Sequence, residues 1–134
     1  MNWKLIIGLS ICGVIMGFAA ILGLPSKLEP FAWLPLFLLS AWLIARNADK
    51  RHFLHGFLTG LANCVWNTLI HVWFSERYLA KHPVEAAQFL KMHAQSGATT
   101  IQSIVITSTV AGLMSAVVLG VFASMAAGFL KKIA

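Results

Sequence analysis

Four long apolar stretches separated by short polar ones dominate the chain. Each is close to the length of about 20 residues that an α-helix needs to cross a hydrocarbon core about 30 Å thick. With their flanking residues they cover about 3–24, 30–48, 52–74 and 100–130. The pattern predicts an all-α integral membrane protein, a single domain over 1–134 whose four transmembrane helices form an antiparallel bundle.

The longest polar stretch lies between the third and fourth apolar stretches. Pro83 suits the first position of a helix, and Gly97 suits the position just after its end. On a helical wheel the polar residues between them share one side, opposite mostly apolar ones. We therefore expect a short amphipathic helix over about 83–95, which either lies on the membrane surface or caps the bundle. The residues of its polar side are Glu85, Gln88, Lys91 and Gln95.

The third apolar stretch differs from the others because polar residues recur at every fourth position. Residues four apart share one helix face. A buried polar group without a partner costs several kcal/mol in lipid, so this face needs a neighbouring helix, a water-filled path or a ligand. Hydrogen bonds between helices satisfy the same need, which keeps simple packing open as an alternative. The residues that we predict to line a path or bind a ligand are Thr59, Asn63, Asn67 and His71.

Small residues at four-residue spacing predict close packing of helices. Such faces let backbones approach each other where lipid supplies no hydrophobic drive to associate. The pattern leaves open whether the packing partner is a helix of the same chain or of a second copy. The predicted packing residues are Gly13, Gly17, Gly56 and Gly60, followed in the fourth stretch by Gly112, Ala116, Gly120, Ser124 and Gly128.

Composition and charge agree with a membrane protein. Hydrophobic residues make up 59% of the chain and charged residues 10%, against about 25% charged residues in soluble domains. The net charge of +6 comes from basic residues scattered among the segment ends. No motif interleaves them with aromatic residues, so we expect no nucleic-acid partner.

The distribution of basic residues predicts an orientation. Six of the ten Lys and Arg residues fall at the two termini or in the 46–51 loop. Basic residues favour the cytoplasmic side of a membrane. We therefore expect a multi-pass protein of a bacterial-type inner membrane with both termini in the cytoplasm.

Few residues of the sequence are candidates for catalysis or metal binding. The only four acidic residues lie in loops or at helix ends, so no carboxylate within a span supplies a proton relay or an acid–base pair. The two cysteines form no C-x-x-C pair. His55 and His71 are separated by about 24 Å along a helix and cannot share a metal ion. We expect neither enzymatic activity nor a cofactor or metal site.

Three functional hypotheses follow. The first is a small homo-oligomeric membrane protein whose polar face on the third span binds or passes a small polar solute or ion. The second is a non-catalytic scaffold or accessory subunit that docks another membrane protein through the small-residue face of the fourth span. The third, and weakest, is a protein that binds metal or haem through its histidines.

Overall fold

The computed structural model describes residues 1–133, and over these residues the chain is all-helical. The prediction of an all-α protein is therefore confirmed. The elements in chain order are α1 (Trp3–Leu9), α2 (Ile11–Leu22), α3 (Glu29–Asn47), α4 (His52–Trp73), α5 (Ser75–Lys81), α6 (Pro83–Ser96) and α7 (Thr100–Ile133).

Two segments are long and apolar enough to cross a membrane. They are Trp3–Leu22, which α1 and α2 form together, and Thr100–Ile133, which is α7. Within residues 1–133, α3 and α4 are long enough, with 19 and 22 residues, but they are not apolar enough by this measure. In α4 the reason is the polar stripe, because amide and imidazole groups occupy positions that are apolar in an ordinary span. Four membrane crossings therefore stay a prediction.

The centre of the structure is the pair formed by α4 and α7, which pack against each other more extensively than any other two helices of the described chain. Glycine brings their backbones into contact. A Cβ added to Gly60 would lie 2.5 Å from Ala116 Cα, and one added to Gly56 would lie 2.6 Å from the carbonyl oxygen of Leu119. Real Cβ atoms essentially never come closer than 3.0 Å to such neighbours, so no larger residue fits at either position.

The small-residue face of α7 is covered along only part of its length. Gly112, Ala116 and Gly120 are buried, whereas Ser124 and Gly128 are exposed. A Cβ added at Gly128 would meet nothing within 4 Å. The packing partner of the buried part is thus α4 of the same chain.

The other helices flank this pair. On one side α2 packs on α4, where Gly13 lies against the backbone of Asn63 and Gly17 against the Ile70 side chain. On the other side α3 packs on α7. Their contact is an apolar cluster of Phe37, Ala41, Ile44, Ala48, Leu119 and Ala123.

Both termini lie at the same end of the bundle. The backbone N–H of Asn2 donates to His55 Nε2 at 3.0 Å, while the Nδ1 atom of that ring lies 3.0 Å from the carbonyl oxygen of Arg51. His55 therefore fastens the N-terminus to the start of α4. The last residues of α7 line a groove together with Trp42 and Arg46, near the end of α3.

The opposite end holds α5 and α6. The sequence did not predict α5, which follows α4 after a single intervening residue. Phe89 of α6 is buried in a second apolar cluster that also contains Ile21, Ile70, Tyr78 and Ile104. Because this side chain anchors it to the core, α6 caps the end of the bundle.

Candidate functional site

A chamber of about 270 Å³ lies between α3, α4 and α7 at the end of the bundle that α5 and α6 cover. Its wall follows α4 from His71 to Gly60, a distance of about 16 Å at 1.5 Å per residue. At Gly60 the α4 backbone meets Ala116 of α7 directly. That contact closes the inner end, so the cavity is a chamber and not a path through the bundle.

Polar residues outnumber apolar ones along the chamber wall, although apolar atoms form the larger share of its surface. Within residues 1–133 it contains no Lys and no Arg, but it contains two of the four acidic residues of the chain. The side chains that line it are Glu29, Trp33, Phe37, Asn63, Cys64, Asn67, Thr68, His71, Tyr78, Glu85, Gln88, Thr107, Ser108 and Ser115.

The structure brings three of the four predicted lining residues together. Asn63, Asn67 and His71 all line the chamber. Thr59 does not, because it is fully buried one turn below Asn63. Its hydroxyl has no hydrogen-bond partner within residues 1–133.

Asn63 serves packing and lining at once. Its side-chain oxygen accepts a hydrogen bond of 2.7 Å from the backbone N–H of Gly13, which ties α4 to α2. Its amide nitrogen has no partner within residues 1–133, and neither does Nε2 of His71. Both residues are more than nine-tenths buried. Two residues of the chamber wall therefore each carry a buried polar group whose hydrogen-bonding capacity is unused.

Three aromatic rings form a stack beside the chamber. The centroid of the Tyr78 ring lies 4.3 Å from that of the His71 ring and 4.4 Å from that of the His82 ring. The Tyr78 ring is nearly parallel to both. Burial raises the pKa of the Tyr78 phenol, and the negative charges of Glu29 and Glu85 raise it further. Tyr78 therefore stays a neutral hydroxyl, able to donate a hydrogen bond at the chamber wall.

His82 ties the end of α5 to the loop between α2 and α3. Its Nδ1 lies 2.9 Å from the carbonyl oxygen of Tyr78, and its Nε2 lies 3.0 Å from that of Leu24. Carbonyl oxygens only accept, so both bonds form together only when both ring nitrogens carry a proton. A carboxyl oxygen of Glu29 lies 3.8 Å from Nε2 and forms an ion pair with the ring when the ring is protonated. Burial raises the pKa of Glu29, against the lowering effect of His82 and with a further rise from Glu85.

Sequence reasoning missed the residues that come from α3, α5 and α6. Tyr78 and His82 lie seven and eleven residues beyond His71, so they continue the polar stripe of α4 through the turn at Phe74. This spacing was a usable signal. Glu29 and Glu85 reach the chamber only through tertiary packing, and no local pattern marks them.

The arrangement of the described residues does not favour metal binding. Within residues 1–133 no group of three or more His, Cys, Asp or Glu side chains is placed to hold a metal ion. Comparisons with protein-family models, curated proteins and solved structures find no match for this chain. Function is therefore inferred from the chemistry of the chamber itself.

Proposed function

We propose that the chain is a four-span membrane protein that binds a small polar solute in the chamber between α3, α4 and α7. The observation that carries this proposal is that two wall residues each have a buried, unpartnered polar atom, Asn63 Nδ2 and His71 Nε2. Leaving such a group without a partner costs about 1–3 kcal/mol. A solute that forms hydrogen bonds with these atoms removes that cost.

Helix lengths support four crossings. α3 has 19 residues and α4 has 22, which correspond to about 28 Å and 33 Å at 1.5 Å per residue. Both lengths match a hydrocarbon core of about 30 Å. The two helices turn their polar residues inward, which lowers their overall apolarity without exposing those groups to lipid.

The outer surface supports a lipid environment as well. Large apolar side chains are exposed on α3, α4 and α7 alike, and contiguous apolar surface on this scale is rare in soluble monomers. Lipid solvates such a surface. The exposed residues include Leu38, Leu39 and Trp42 on α3, Val65, Trp66 and Leu69 on α4, and Val110, Leu113, Val117 and Val121 on α7.

The basic residues orient the chamber. Both termini and the 46–51 loop share one end of the bundle and carry six of the ten Lys and Arg residues. The bias of basic residues toward the cytoplasm places that end inside. The chamber then faces the outer side of a bacterial-type inner membrane.

Passage of the solute across the membrane requires a second arrangement of the helices. The contact of Gly60 with Ala116 closes the inner end of the chamber. A carrier built on this bundle would have to separate α4 from α7 at that contact. The described arrangement is accordingly the outward-facing, binding state.

A scaffold or accessory role is the second candidate, and one observation favours it. Ser124 and Gly128 continue the small-residue face of α7 beyond the part that α4 covers, and both are exposed. A second copy of the chain, or another membrane protein, fits against these two positions. Homo-oligomerisation through them is compatible with solute binding in each copy.

Native mass spectrometry of the protein released from mild detergent tests the binding function. We expect a small polar molecule to be retained by the wild-type chain and to be lost in Asn67→Leu, which places an apolar side chain on the chamber wall. The matched control is Gln95→Leu, because Gln95 is exposed on α6 and does not line the chamber. A wild-type protein that carries no solute, or the same retained mass in both variants, would contradict the proposal.

A further inference from the structure

We propose that the solute of this chamber is a small organic ammonium ion, bound through Glu85 and Glu29 against the aromatic side chains of the wall. This inference rests on the proposed function, because it assigns a chemical class to the ligand of the same site. Two independent features support it, the charge of the lining and its content of aromatic rings.

The charge of the chamber is opposite to that of the chain. The protein has ten Lys and Arg residues against four acidic ones. Within residues 1–133 the chamber wall nevertheless holds two carboxyl groups and no Lys or Arg. A wall of this kind repels anions and attracts cations.

The two carboxyl groups are not equivalent. Glu29 lies 3.8 Å from the His82 ring, which can pair with it when the ring is protonated. Glu85 forms no ion pair within 4 Å among residues 1–133. A bound cation would give the Glu85 carboxylate an opposite charge that no neighbouring side chain of the described residues provides. Glu85 is therefore the principal binding partner, and Glu29 the secondary one.

Aromatic rings favour an organic cation. Trp33, Phe37 and Tyr78 line the chamber beside the two carboxyl groups. The face of an aromatic ring attracts an ammonium group, most strongly where water is excluded. The buried amide of Asn63 and the imidazole of His71 are available to hydrogen-bond the remainder of the ligand.

The size of the chamber sets the size of the ligand. A volume of about 270 Å³ is several times the volume of about 30 Å³ that one water molecule occupies in the liquid, so it accommodates a small organic molecule. A bare metal ion is much smaller, and the described residues do not form a metal-ligand group. An ammonium compound with a few carbon atoms and one further polar group matches the space and the lining.

Two ligands of nearly identical shape test the inference directly. Choline carries the positive charge, and 3,3-dimethylbutan-1-ol replaces its nitrogen by carbon. Isothermal titration calorimetry of the full chain in phosphatidylglycerol nanodiscs measures the affinity of the protein for each compound. We expect choline to bind and its neutral analogue to bind at least about tenfold more weakly, since removing one unit charge from a partly buried pair costs more than that factor.

Matched substitutions locate the interaction. Glu85→Gln keeps the shape of the side chain and removes its charge, so the affinity for choline should fall about tenfold or more. Glu76→Gln is the control, because Glu76 is exposed on α5 and does not line the chamber. Its affinity for choline should match that of the wild type.

The outcomes separate this inference from the function on which it rests. Equal binding of choline and its neutral analogue, or a Glu85→Gln variant that binds choline as tightly as the wild type, would overturn the assignment of a cation and leave solute binding intact. Failure of both compounds to bind, together with a bare protein in native mass spectrometry, would overturn both proposals.

The ammonium group has two possible sources, a dissolved solute and a lipid headgroup. Adding phosphatidylethanolamine to the nanodiscs distinguishes them, because its headgroup carries an ammonium ion and phosphatidylglycerol carries none. Competition with choline would support ammonium recognition and assign the headgroup as the source. Unchanged choline affinity would support recognition of a dissolved solute.

Discussion

At the scale of single residues, Asn63 and Asn67 differ although they lie one turn apart on α4. Asn63 is 2% exposed, and its side-chain oxygen accepts the hydrogen bond from Gly13 N–H that joins α4 to α2. Asn67 is only partly buried and lines the chamber. The first residue supports the fold as well as the site, whereas the second mainly lines the chamber.

This difference predicts opposite results for two alanine substitutions. Asn63→Ala removes a buried hydrogen bond and should lower the free energy of unfolding by about 1–3 kcal/mol. Asn67→Ala should change it by no more than about 0.5 kcal/mol, while it weakens solute retention. Denaturant unfolding of the purified protein in micelles measures both. Equal destabilisation by the two changes would show that the chamber wall is ordinary packing.

Glu29 gives the structure a dependence on pH. Its pKa is raised above the usual 4.5, chiefly by burial. A carboxyl group whose pKa is higher in the folded than in the unfolded state favours the fold when protonated. Its stabilising contribution is therefore present below pH 4.5 and is lost as the pH rises through the higher folded pKa.

The Glu29→Gln substitution tests the direction of this pH dependence, because glutamine resembles the protonated side chain. We expect the variant to have a higher Tm than the wild type at pH 7, and the two proteins to converge as the pH falls toward 4.5. The control variant Glu76→Gln, at an exposed position of α5, should have the same Tm as the wild type at every pH. A Glu29→Gln variant less stable than the wild type at pH 7 would mean that the pairing with His82 outweighs burial.

At the scale of helices, the close contact between α4 and α7 depends on small residues such as glycine and alanine. Gly60→Leu places a side chain against the backbone of Ala116 and should destabilise the bundle by at least about 2 kcal/mol. Gly128→Leu makes the same chemical change where nothing lies within 4 Å, so the fold should tolerate it.

Thermal unfolding and size-exclusion chromatography of the two variants separate internal packing from association. Loss of an oligomer in Gly128→Leu with an unchanged Tm would assign the exposed part of the α7 face to a second copy or a partner. Similar thermal stability of Gly60→Leu and the wild type would contradict the close α4–α7 contact.

Helix positions were largely predictable, whereas their assembly into a site was not. The bounds of α3, α4, α6 and α7 fall within three residues of the segments that the apolar pattern predicted. Missed features were the interruption at Ser10 and the separate helix α5. The four-residue period identified the chamber face of α4, because periodicity describes one helix face. It carries no information about residues that approach from other helices, which is why Glu29 and Glu85 were overlooked.

At the scale of the whole molecule, the outer surface is more apolar than that of a soluble domain, and the apolar interior also holds buried polar groups. Apolar residues dominate the outer faces of α3, α4 and α7, while buried polar groups such as Thr59, Asn63 and His71 lie between helices. This distribution suits a bilayer, where lipid covers the outside and each inner polar group needs a partner. The apolar composition and pattern of the chain correctly predicted an all-helical fold. The polar groups buried between the helices line part of the cavity.

The most direct test of the central claim, a water-filled chamber that opens on one side of the membrane, uses Cys64. This side chain lines the chamber, and replacing the other cysteine by Cys12→Ser leaves it as the single thiol. A membrane-impermeant methanethiosulfonate reagent carrying a trimethylammonium group is applied to intact bacterial cells and, separately, to inside-out vesicles. We expect Cys64 to react in cells, to be protected by choline, and to remain unmodified in the vesicles. Reaction only in the vesicles, or only after solubilisation in detergent, would contradict an outward-facing solute chamber.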